Sequence, residues 1–224
     1  MIDLVFVSNA LDDTRKFLTE SAITLARSSD DLVDRIIVVE QQHHIAYPET
    51  TVHYDFDFNY HKCLNLGIEW TEAEYIGLCN NDIKFHLGWA EKLIDGMGDC
   101  LSASPYSANV HDNTEYPAGS GNYGRNLTYD PVGYDARAII AGWCIVIHRS
   151  VLEKIGKLHE GVAFWYSDNL YAEQIKKAGI DHKLIRASRV EHLETRTLSG
   201  HPRLDEYTGG QKADYIKAYN EIWK

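Results

Sequence analysis

The first hundred residues alternate between short, continuously apolar runs and longer segments in which apolar positions recur every three or four residues. A continuous apolar run is typical of a strand that is covered on both faces, whereas the longer spacing is typical of an amphipathic helix. The predicted strands are Ile2–Val7, Ile36–Val39 and Glu74–Cys79, and the predicted helices are Leu11–Arg27, Phe58–Trp70 and Leu87–Met97. This alternation predicts an α/β fold with a mostly parallel central sheet flanked by helices.

The second half of the chain continues with strands and helices of less regular spacing. The predicted strands are Ala138–Ile147 and Lys183–Ile185, and the predicted helices are Ser150–Ile155, Asp168–Ala178 and a C-terminal helix over Ala213–Trp223. We find no repeat and no linker, and we therefore expect a single domain over 1–224.

A segment rich in glycine and tyrosine, residues 112–135, lies within the second half of the chain. Its composition predicts a long surface loop rather than a regular element. Two interpretations stay open: an inserted loop without a role, or an aromatic wall that faces a flat polar ligand.

The overall charge narrows the class of protein. The 224 residues include 22 Lys+Arg and 33 Asp+Glu, which gives a net charge of −11. This charge argues against a broad nucleic-acid-binding face.

No apolar run approaches the roughly 18 residues of a membrane span, and no secretory signal is visible, so a cytoplasmic location is expected. The four widely spaced cysteines are expected to be buried free thiols.

Ligands of parallel α/β sheets gather at the carboxyl ends of the strands. The residues at these ends are therefore the first candidates: Ser8 and Asn9, Glu40, and the run Asn80-Asn81-Asp82. A carboxylate placed there can hold Mn²⁺ or Mg²⁺ together with phosphate oxygens of a substrate. The same three residues also suit an ordinary turn, and the spacing alone favours the turn.

Two further segments carry candidate chemistry. Asp168 follows an aromatic run, and such surroundings raise the pKa of a carboxyl group and make its anion a better base. Asp168 also suits the N-cap of the following helix, and the two roles do not exclude each other. His192 is a metal-ligand candidate only if a carboxylate from elsewhere in the chain completes the site.

In their order along the chain, these motifs resemble those of the GT-A-fold, family 2-like glycosyltransferases. The resemblance rests on the first two strands, on Asn59 to Ile68, on Tyr75 to Asp82, on Ala141 to Gly156, and on Phe164 to Gly179 followed by His192. It implies a GT-A (Rossmann-like) fold over nearly all of positions 2–197. It also implies transfer of a sugar, with inversion, from a nucleotide-diphosphate sugar to an acceptor hydroxyl. Within the single domain it implies a nucleotide-binding half at 1–100 and an acceptor-binding half at 101–224, which includes the C-terminal lid and helix.

The resemblance implies a role for each candidate residue. Asp82 and His192 would hold Mn²⁺ or Mg²⁺ against the diphosphate of a donor, a UDP-sugar by family habit, and Asp168 would be the general base. The remaining implied contacts are Ser8, Asn9, Glu40, Lys62, Asn80, Asn81 and Arg196 for the donor, and Gly142, Trp143, Tyr166 and Asn169 for the sugar or the acceptor. Trp143 equally suits the core, and residues 195–210 are expected to close as a lid.

The sequence departs from the family pattern at two places and leaves the acceptor open. Asn80 and Asn81 stand where many members carry carboxylates, and Ser167 precedes Asp168 where a second acid is usual. A glycan, a small molecule or a modified nucleobase would each suit as acceptor. A non-catalytic nucleotide-sugar or glycan-binding module stays open as an alternative. A sugar-nucleotidyltransferase is less favoured, because no Gly-rich basic loop follows the first strand.

Overall fold

The computed structural model describes residues 1–112, 127–193 and 210–224. Its strands are β1 Ile2–Ser8, β2 Val33–Glu40, β3 Thr50–His53, β4 Tyr75–Asn80, β5 Ile83–Phe85, β6 Ser102–Tyr106, β7 Cys144–His148 and β8 His182–His192. Its helices are α1 Asp13–Ser29, α2 Tyr60–Ile68, α3 Trp89–Met97, α4 Ala108–His111, α5 Ser150–Ile155, α6 Ser167–Lys177 and α7 Gln211–Ile222.

The strands form one eight-stranded sheet in the order β3-β2-β1-β4-β7-β6-β8-β5. The first four strands in that order pair in parallel, as do β6 and β8. Strand β7 is antiparallel to both of its neighbours, and β5 is antiparallel to β8. The predicted α/β fold with a central sheet flanked by helices is confirmed, and its C-terminal half is mixed rather than parallel.

Strand β1 divides its side chains between two apolar layers. Leu4 and Phe6 pack on the side that holds α1 and α3. Val5 and Val7 pack on the opposite side, which holds α2 and α6. Because both faces of the strand are covered, its sequence is continuously apolar.

The strand predicted over Ala138–Ile147 is shorter than expected. Ile139 and Ile140 donate their backbone N–H groups to the carbonyl of Asp135, at 2.8 and 3.0 Å, so this part of the chain folds into a tight loop. Arg137, within that loop, has a left-handed backbone with φ 72°. The apolar run was correct about burial and wrong about conformation, since β7 begins only at Cys144.

Several elements were missed or predicted too short because their sequences lack a recognisable apolar pattern. Strand β6 reads SASPY, and it is buried because Ser102 and Ser104 bond to the ring of His182, at 2.7 and 3.0 Å. Strands β3 and β5 and helix α4 have three or four residues each. Strand β8 has eleven residues where only Lys183–Ile185 was predicted, and it ends with His192.

All four cysteines are free thiols, and Cys63, Cys79 and Cys144 are buried while Cys100 is half-buried. Within the described ranges, no helix combines the length and the apolar character of a membrane span. Residues 113–126 of the Gly- and Tyr-rich segment lie outside the described residues.

Candidate active site

The run Asn80-Asn81-Asp82 joins the end of β4 to β5, and its three side chains have different surroundings. Asn80 is half-buried, and its backbone N–H donates to the carbonyl of Trp143 at 2.8 Å. Asn81 is buried, and its amide donates to the hydroxyl of Thr19 at 2.8 Å. Asp82 is buried at the turn itself. The turn and the candidate metal site are therefore the same segment.

Asp82 lies against His192. The Nε2 atom of His192 is 3.3 Å from Oδ1 of Asp82. The pairing of β5 with β8 brings them together, because Ile83 is in register with His192 and the N–H of Leu193 donates to the carbonyl of Asp82 at 2.9 Å. The backbone of His192 is also held from α4: its N–H donates to the Ser107 hydroxyl at 3.1 Å, and its carbonyl accepts from the Asn109 amide.

Trp143 forms one wall of this pair. Its indole is stacked on the ring of His192, with centroids 5.0 Å apart and an interplanar angle of 8°. Trp143 is buried and lies one residue before β7, so the expectation that it is a strand residue was wrong, while core packing is observed. The stack fixes the plane of the imidazole ring and therefore the direction of its Nε2 atom.

The residues present fit a hard divalent cation. Among the described residues, Nε2 of His192 is buried without a hydrogen-bond partner beside the Asp82 carboxylate. The carboxylate oxygen of Asp82 is a ligand of the kind that Mn²⁺ and Mg²⁺ prefer, and the imidazole nitrogen beside it adds a second, less typical ligand. The described part of the chain contains no group of three or more His, Cys, Asp or Glu arranged to hold a metal. Phosphate oxygens and water would have to complete the coordination, as is usual for Mg²⁺ at nucleotide sites.

Asp168 lies in the first turn of α6. The N-cap of this helix is Tyr166, so the expectation that Asp168 caps the helix was wrong. The Oδ1 atom of Asp168 accepts the backbone N–H of Asn169 at 2.9 Å. A Cβ atom added to Gly142 would lie 2.8 Å from the Cβ of Asp168, so the glycine permits the close approach. Burial raises the pKa of the Asp168 carboxyl group, which makes its anion a stronger base.

Tyr60, the first residue of α2, lies against the turn that carries Gly142 and Trp143. It is buried, and its hydroxyl donates to the carbonyl of Gly142 at 3.4 Å. Burial raises the pKa of Tyr60 well above its usual value. The turn itself joins the candidates, because Gly142 packs against Asp168 and Trp143 is stacked on His192.

The ends of β1 and β2 are joined by buried polar side chains. The Ser8 hydroxyl is 3.0 Å from that of Thr19 and 3.1 Å from that of Tyr47. Tyr47 donates to Oε2 of Glu40 at 2.9 Å. The Asn81 amide lies 3.4 Å from the Ser8 hydroxyl. Ser8, Glu40 and Asn81 are thus linked to one another inside the protein.

Glu40 is fully buried, and its other oxygen is also occupied. Oε1 accepts the backbone N–H groups of Ala10 and Gln42, at 3.1 and 2.8 Å. The Gln42 side chain in turn donates to Oδ1 of Asn9 at 2.9 Å. Asn9 is half-buried, whereas Ser8, Glu40 and Asn81 are buried. Because both of its oxygens are hydrogen-bonded inside the protein, Glu40 is suited to holding the loops that follow β1 and β2.

The other candidates are distributed around this centre. Lys62, on α2, places its ammonium group over the ring of Phe56, 4.2 Å from the centroid. Tyr166 is stacked on Tyr215 of α7, with centroids 5.1 Å apart. Arg196 and most of the predicted lid, residues 194–209, lie outside the described residues.

Residues that the sequence analysis did not single out also build the site. They are Tyr60, Ser107 and Asn109. The single available signal was the position of Tyr60, directly after the helix-capping residue Asn59, whose side chain accepts from the Lys62 N–H. Nothing in the apolar pattern marks Ser107 or Asn109, because their contacts depend on strand pairing between distant segments.

No protein-family model and no curated protein sequence matches the chain. Among solved structures, the chain is similar to a crystal structure of GalNAc-T7 with UDP, GalNAc and Mn²⁺, with a TM-score of 0.66 at 11% identity. The similarity covers 99% of this chain and 48% of the other, so the chain spans about half the length of that protein. At this identity the similarity shows the fold, which is GT-A-like.

Proposed function

We propose that the protein is a metal-dependent inverting glycosyltransferase that uses a nucleotide-diphosphate sugar, a UDP-sugar, as donor. The observation that carries this proposal is that a candidate cation site and a candidate base lie at the same end of the sheet. The Asp82–His192 pair, with its 3.3 Å separation, fits a cation, and Asp168 fits a base. The turn of Gly142 and Trp143 links the two, because Gly142 packs against Asp168 and Trp143 is stacked on His192.

In this proposal Asp82 and His192 hold Mn²⁺ or Mg²⁺ against the donor diphosphate. When bound, the cation supplies positive charge that offsets the negative charge developing on the departing nucleoside diphosphate. The stack of Trp143 on His192 keeps the imidazole in one orientation. Asn9 and Asn80 contact the nucleoside, supported from behind by the buried side chains of Ser8, Glu40 and Asn81.

Asp168 accepts the proton of the acceptor hydroxyl. The oxygen then attacks the anomeric carbon from the face opposite the leaving diphosphate, which inverts the configuration. A carboxylate with a raised pKa is better suited to this task than a fully solvated one. Gly142 has no side chain and so leaves room beside Asp168. Trp143, Tyr166 and Asn169 line the space for the sugar and the acceptor. Lys62 and Arg196 are proposed as diphosphate contacts.

The fold supports this proposal at a coarser level. The similar protein was crystallised with UDP, GalNAc and Mn²⁺, which are the donor components and the cation that the proposal requires. The proposal also includes membership of family 2 and a cytoplasmic location. The acceptor is proposed only by its class. A glycan, a small molecule or a modified nucleobase would each provide a hydroxyl or similar group for the reaction.

A non-catalytic nucleotide-sugar or glycan-binding module is the second candidate. It is favoured by the presence of amides at Asn80 and Asn81 and by a described metal site with only two protein ligands. Such a module would bind a donor without turning it over. The two functions therefore differ in chemistry, not in affinity.

Thermal-shift measurements with nucleoside diphosphates and their sugars, with and without Mn²⁺, test donor binding. A ligand that binds the folded state raises the melting temperature with the logarithm of its excess over Kd. Turnover with the best donor, followed as release of nucleoside diphosphate, then separates enzyme from module. Donor binding that requires Mn²⁺, with turnover lost in Asp168→Asn, supports the enzyme. Donor binding without hydrolysis or transfer supports the module, and no binding contradicts both.

A further inference from the structure

Three buried ring nitrogens near Asp82 have no hydrogen-bond partner within residues 1–112, 127–193 and 210–224. They are Nε2 of His192, Nε1 of Trp143 and Nε2 of His111. Their rings are in contact, because the Trp143 centroid is 5.0 Å from that of His192 and 5.5 Å from that of His111. An unpaired buried polar group costs about 1–3 kcal/mol, so three of them on adjoining rings indicate a ligand that pairs them.

The proposed cation accounts for His192 and leaves two of these nitrogens without a role. Trp143 is 7% exposed and His111 is 0% exposed, so water does not satisfy them from the surface. The indole nitrogen of Trp143 is a hydrogen-bond donor only. The role of the His111 Nε2 atom depends on which of its two ring nitrogens carries the hydrogen.

The surroundings of His111 decide this question. Its Nδ1 atom accepts the backbone N–H of Ser107 at 2.9 Å. The Ser107 carbonyl lies 3.0 Å from the same Nδ1, but it already accepts the backbone N–H groups of Val110 and His111. Burial lowers the pKa of His111 to about 4, so the ring is neutral at neutral pH. A neutral ring whose Nδ1 accepts carries its hydrogen on Nε2, which is therefore a second buried donor.

His111 is held in place relative to the metal-binding pair. Helix α4, which carries it, is tied to the end of β8, because the Ser107 hydroxyl accepts the His192 N–H and the Asn109 amide donates to the His192 carbonyl. The Tyr106 ring is stacked on the His111 ring, with centroids 4.7 Å apart and an interplanar angle of 25°. The two unpaired donors are thus fixed beside His192.

We propose that the Nε1–H of Trp143 and the Nε2–H of His111 donate hydrogen bonds to the diphosphate of the nucleotide donor. This inference rests on the proposed function, which places the diphosphate at Asp82 and His192. It gives His111 a role in donor binding and gives Trp143 a polar role besides lining the space for the sugar.

The chemistry of the two groups favours a phosphate oxygen as their partner. Two donors side by side, without a neighbouring acceptor, match a group that only accepts hydrogen bonds. A sugar hydroxyl would bring a hydrogen of its own that these donors cannot accept. Both N–H groups are neutral, so burying them before the nucleotide binds costs much less than burying an unpaired lysine or arginine. Hydrogen bonds to a phosphate are also stronger than those to a neutral oxygen.

Two variants remove one donor each, and their affinities for UDP and for uridine are measured in Mn²⁺. Trp143→Phe keeps an aromatic ring beside His192 but has no N–H. His111→Asn offers an oxygen that can accept the Ser107 N–H in place of Nδ1, and it has no donor at the position of Nε2. We expect each variant to weaken UDP binding by about tenfold or more and to leave uridine binding unchanged. His111→Gln, whose amide nitrogen can reach the position of Nε2, should keep part of the UDP affinity.

Trp89→Phe is the matched control for Trp143→Phe. Trp89 is also fully buried with an Nε1 atom that lacks a partner in the described part of the chain, but it lies at the start of α3 and packs on Phe85, with ring centroids 4.6 Å apart. Both variants lose the same ring volume, so their melting temperatures should fall by similar amounts. UDP affinity should fall in Trp143→Phe alone. Binding of Mn²⁺ without nucleotide, followed by electron paramagnetic resonance, should be retained in both.

The outcomes separate this inference from the proposed function. Unchanged UDP affinity in Trp143→Phe and His111→Asn would overturn the inference, and so would equal weakening of UDP and uridine or a loss of Mn²⁺ binding in these variants. Transfer by the wild type would then still support the proposed function. Selective weakening of UDP, in a wild type that binds the donor without transfer, would support the inference and contradict the enzyme. A wild type that does not bind UDP would contradict both.

Discussion

A Cβ atom on Gly142 would lie 2.8 Å from the Cβ of Asp168 and 3.2 Å from its Oδ2 atom. The first distance is shorter than real Cβ contacts, so a larger residue at 142 must move Asp168 or the turn that carries Gly142. The same turn leads into Trp143, which is stacked on His192. Residue 142 therefore lies between the proposed base, Asp168, and the proposed metal-binding pair, Asp82 and His192.

We expect Gly142→Ala to lower the kcat of transfer about tenfold or more, because small displacements of a catalytic group are costly. UDP affinity in the presence of Mn²⁺ should change less than kcat, since Asp82 and His192 are also held by the pairing of β5 with β8. Steady-state kinetics and titration of UDP measure the two effects separately.

Gly179→Ala is the matched control for this variant. Gly179 follows the other end of α6, has a left-handed backbone with φ 66°, and has open space around its Cα. The alanine should cost about 1 kcal/mol of stability through backbone strain and leave kcat unchanged. Equal kcat values for Gly142→Ala and the wild type would contradict the role of Gly142.

Asp82→Asn and His192→Gln should each remove most of the effect of Mn²⁺ on UDP binding. Loss of either ligand leaves a single protein group for the cation, and we expect about tenfold or greater weakening of UDP affinity in Mn²⁺. Chelation of the metal from the wild type should give the same weakening. The measurement is the melting-temperature shift caused by UDP with Mn²⁺ and with EDTA.

Glu191→Gln provides the control for the metal pair. Glu191 precedes His192 on β8, but its side chain is exposed and lies 3.4 Å from the ammonium of Lys84. This variant should respond to UDP and Mn²⁺ as the wild type does. An undiminished Mn²⁺ effect in Asp82→Asn would remove Asp82 from the site.

Transfer should decline with falling pH as Asp168 becomes protonated. Because burial raises the pKa of its carboxyl group, the decline should lie at higher pH than for a solvated aspartate. Asp168→Asn should lower kcat by about 10²–10⁴-fold with UDP affinity retained. The pH profile of kcat/KM measures the position of the decline.

The same substitution should affect stability in the opposite direction. A carboxyl group whose pKa is raised by folding favours the folded state least at pH values above that pKa, where it must be buried as an anion. Asp168→Asn should therefore melt higher than the wild type at neutral pH, and the difference should shrink as the pH falls through the raised pKa. A lower melting temperature at neutral pH would contradict this reasoning.

Tyr47→Phe tests whether the polar side chains behind the cleft are structural. Tyr47 donates to the buried Glu40 carboxylate, and burial raises the Tyr47 pKa to about 12, so its proton is present throughout the neutral range. Removing this hydrogen bond should lower the free energy of unfolding by about 1–3 kcal/mol, measured in urea, with little change in UDP affinity. A large loss of UDP affinity without a loss of stability would instead make Tyr47 a nucleotide contact.

The sequence predicted the strands in which consecutive residues are all buried. Ile2–Val7 and Ile36–Val39 were found as strands because both of their faces are covered. Strand β6 was missed because Ser102 and Ser104 are satisfied by His182, a residue far along the chain. The apolar pattern contains no information about such a partner.

The candidate site shows the same division. Asp82 stood out because it follows a strand end, and Asp168 because it follows an aromatic run. The pairing of Asp82 with His192 depends on the register of β5 on β8, which no local pattern specifies. The left-handed backbone of Arg137 was likewise invisible, since arginine has no preference for that conformation.

The proposed cation-binding pair is divided between Asp82, in a turn after the fourth strand, and His192, the last residue of the eighth. During synthesis, a ribosome-bound chain that has not yet exposed His192 contains only half of this pair. Because pairing between distant strands forms slowly, tight binding of UDP with Mn²⁺ should be the last property to return when the denatured protein is refolded. Recovery of that binding would then report completion of the whole sheet, more stringently than recovery of helix content.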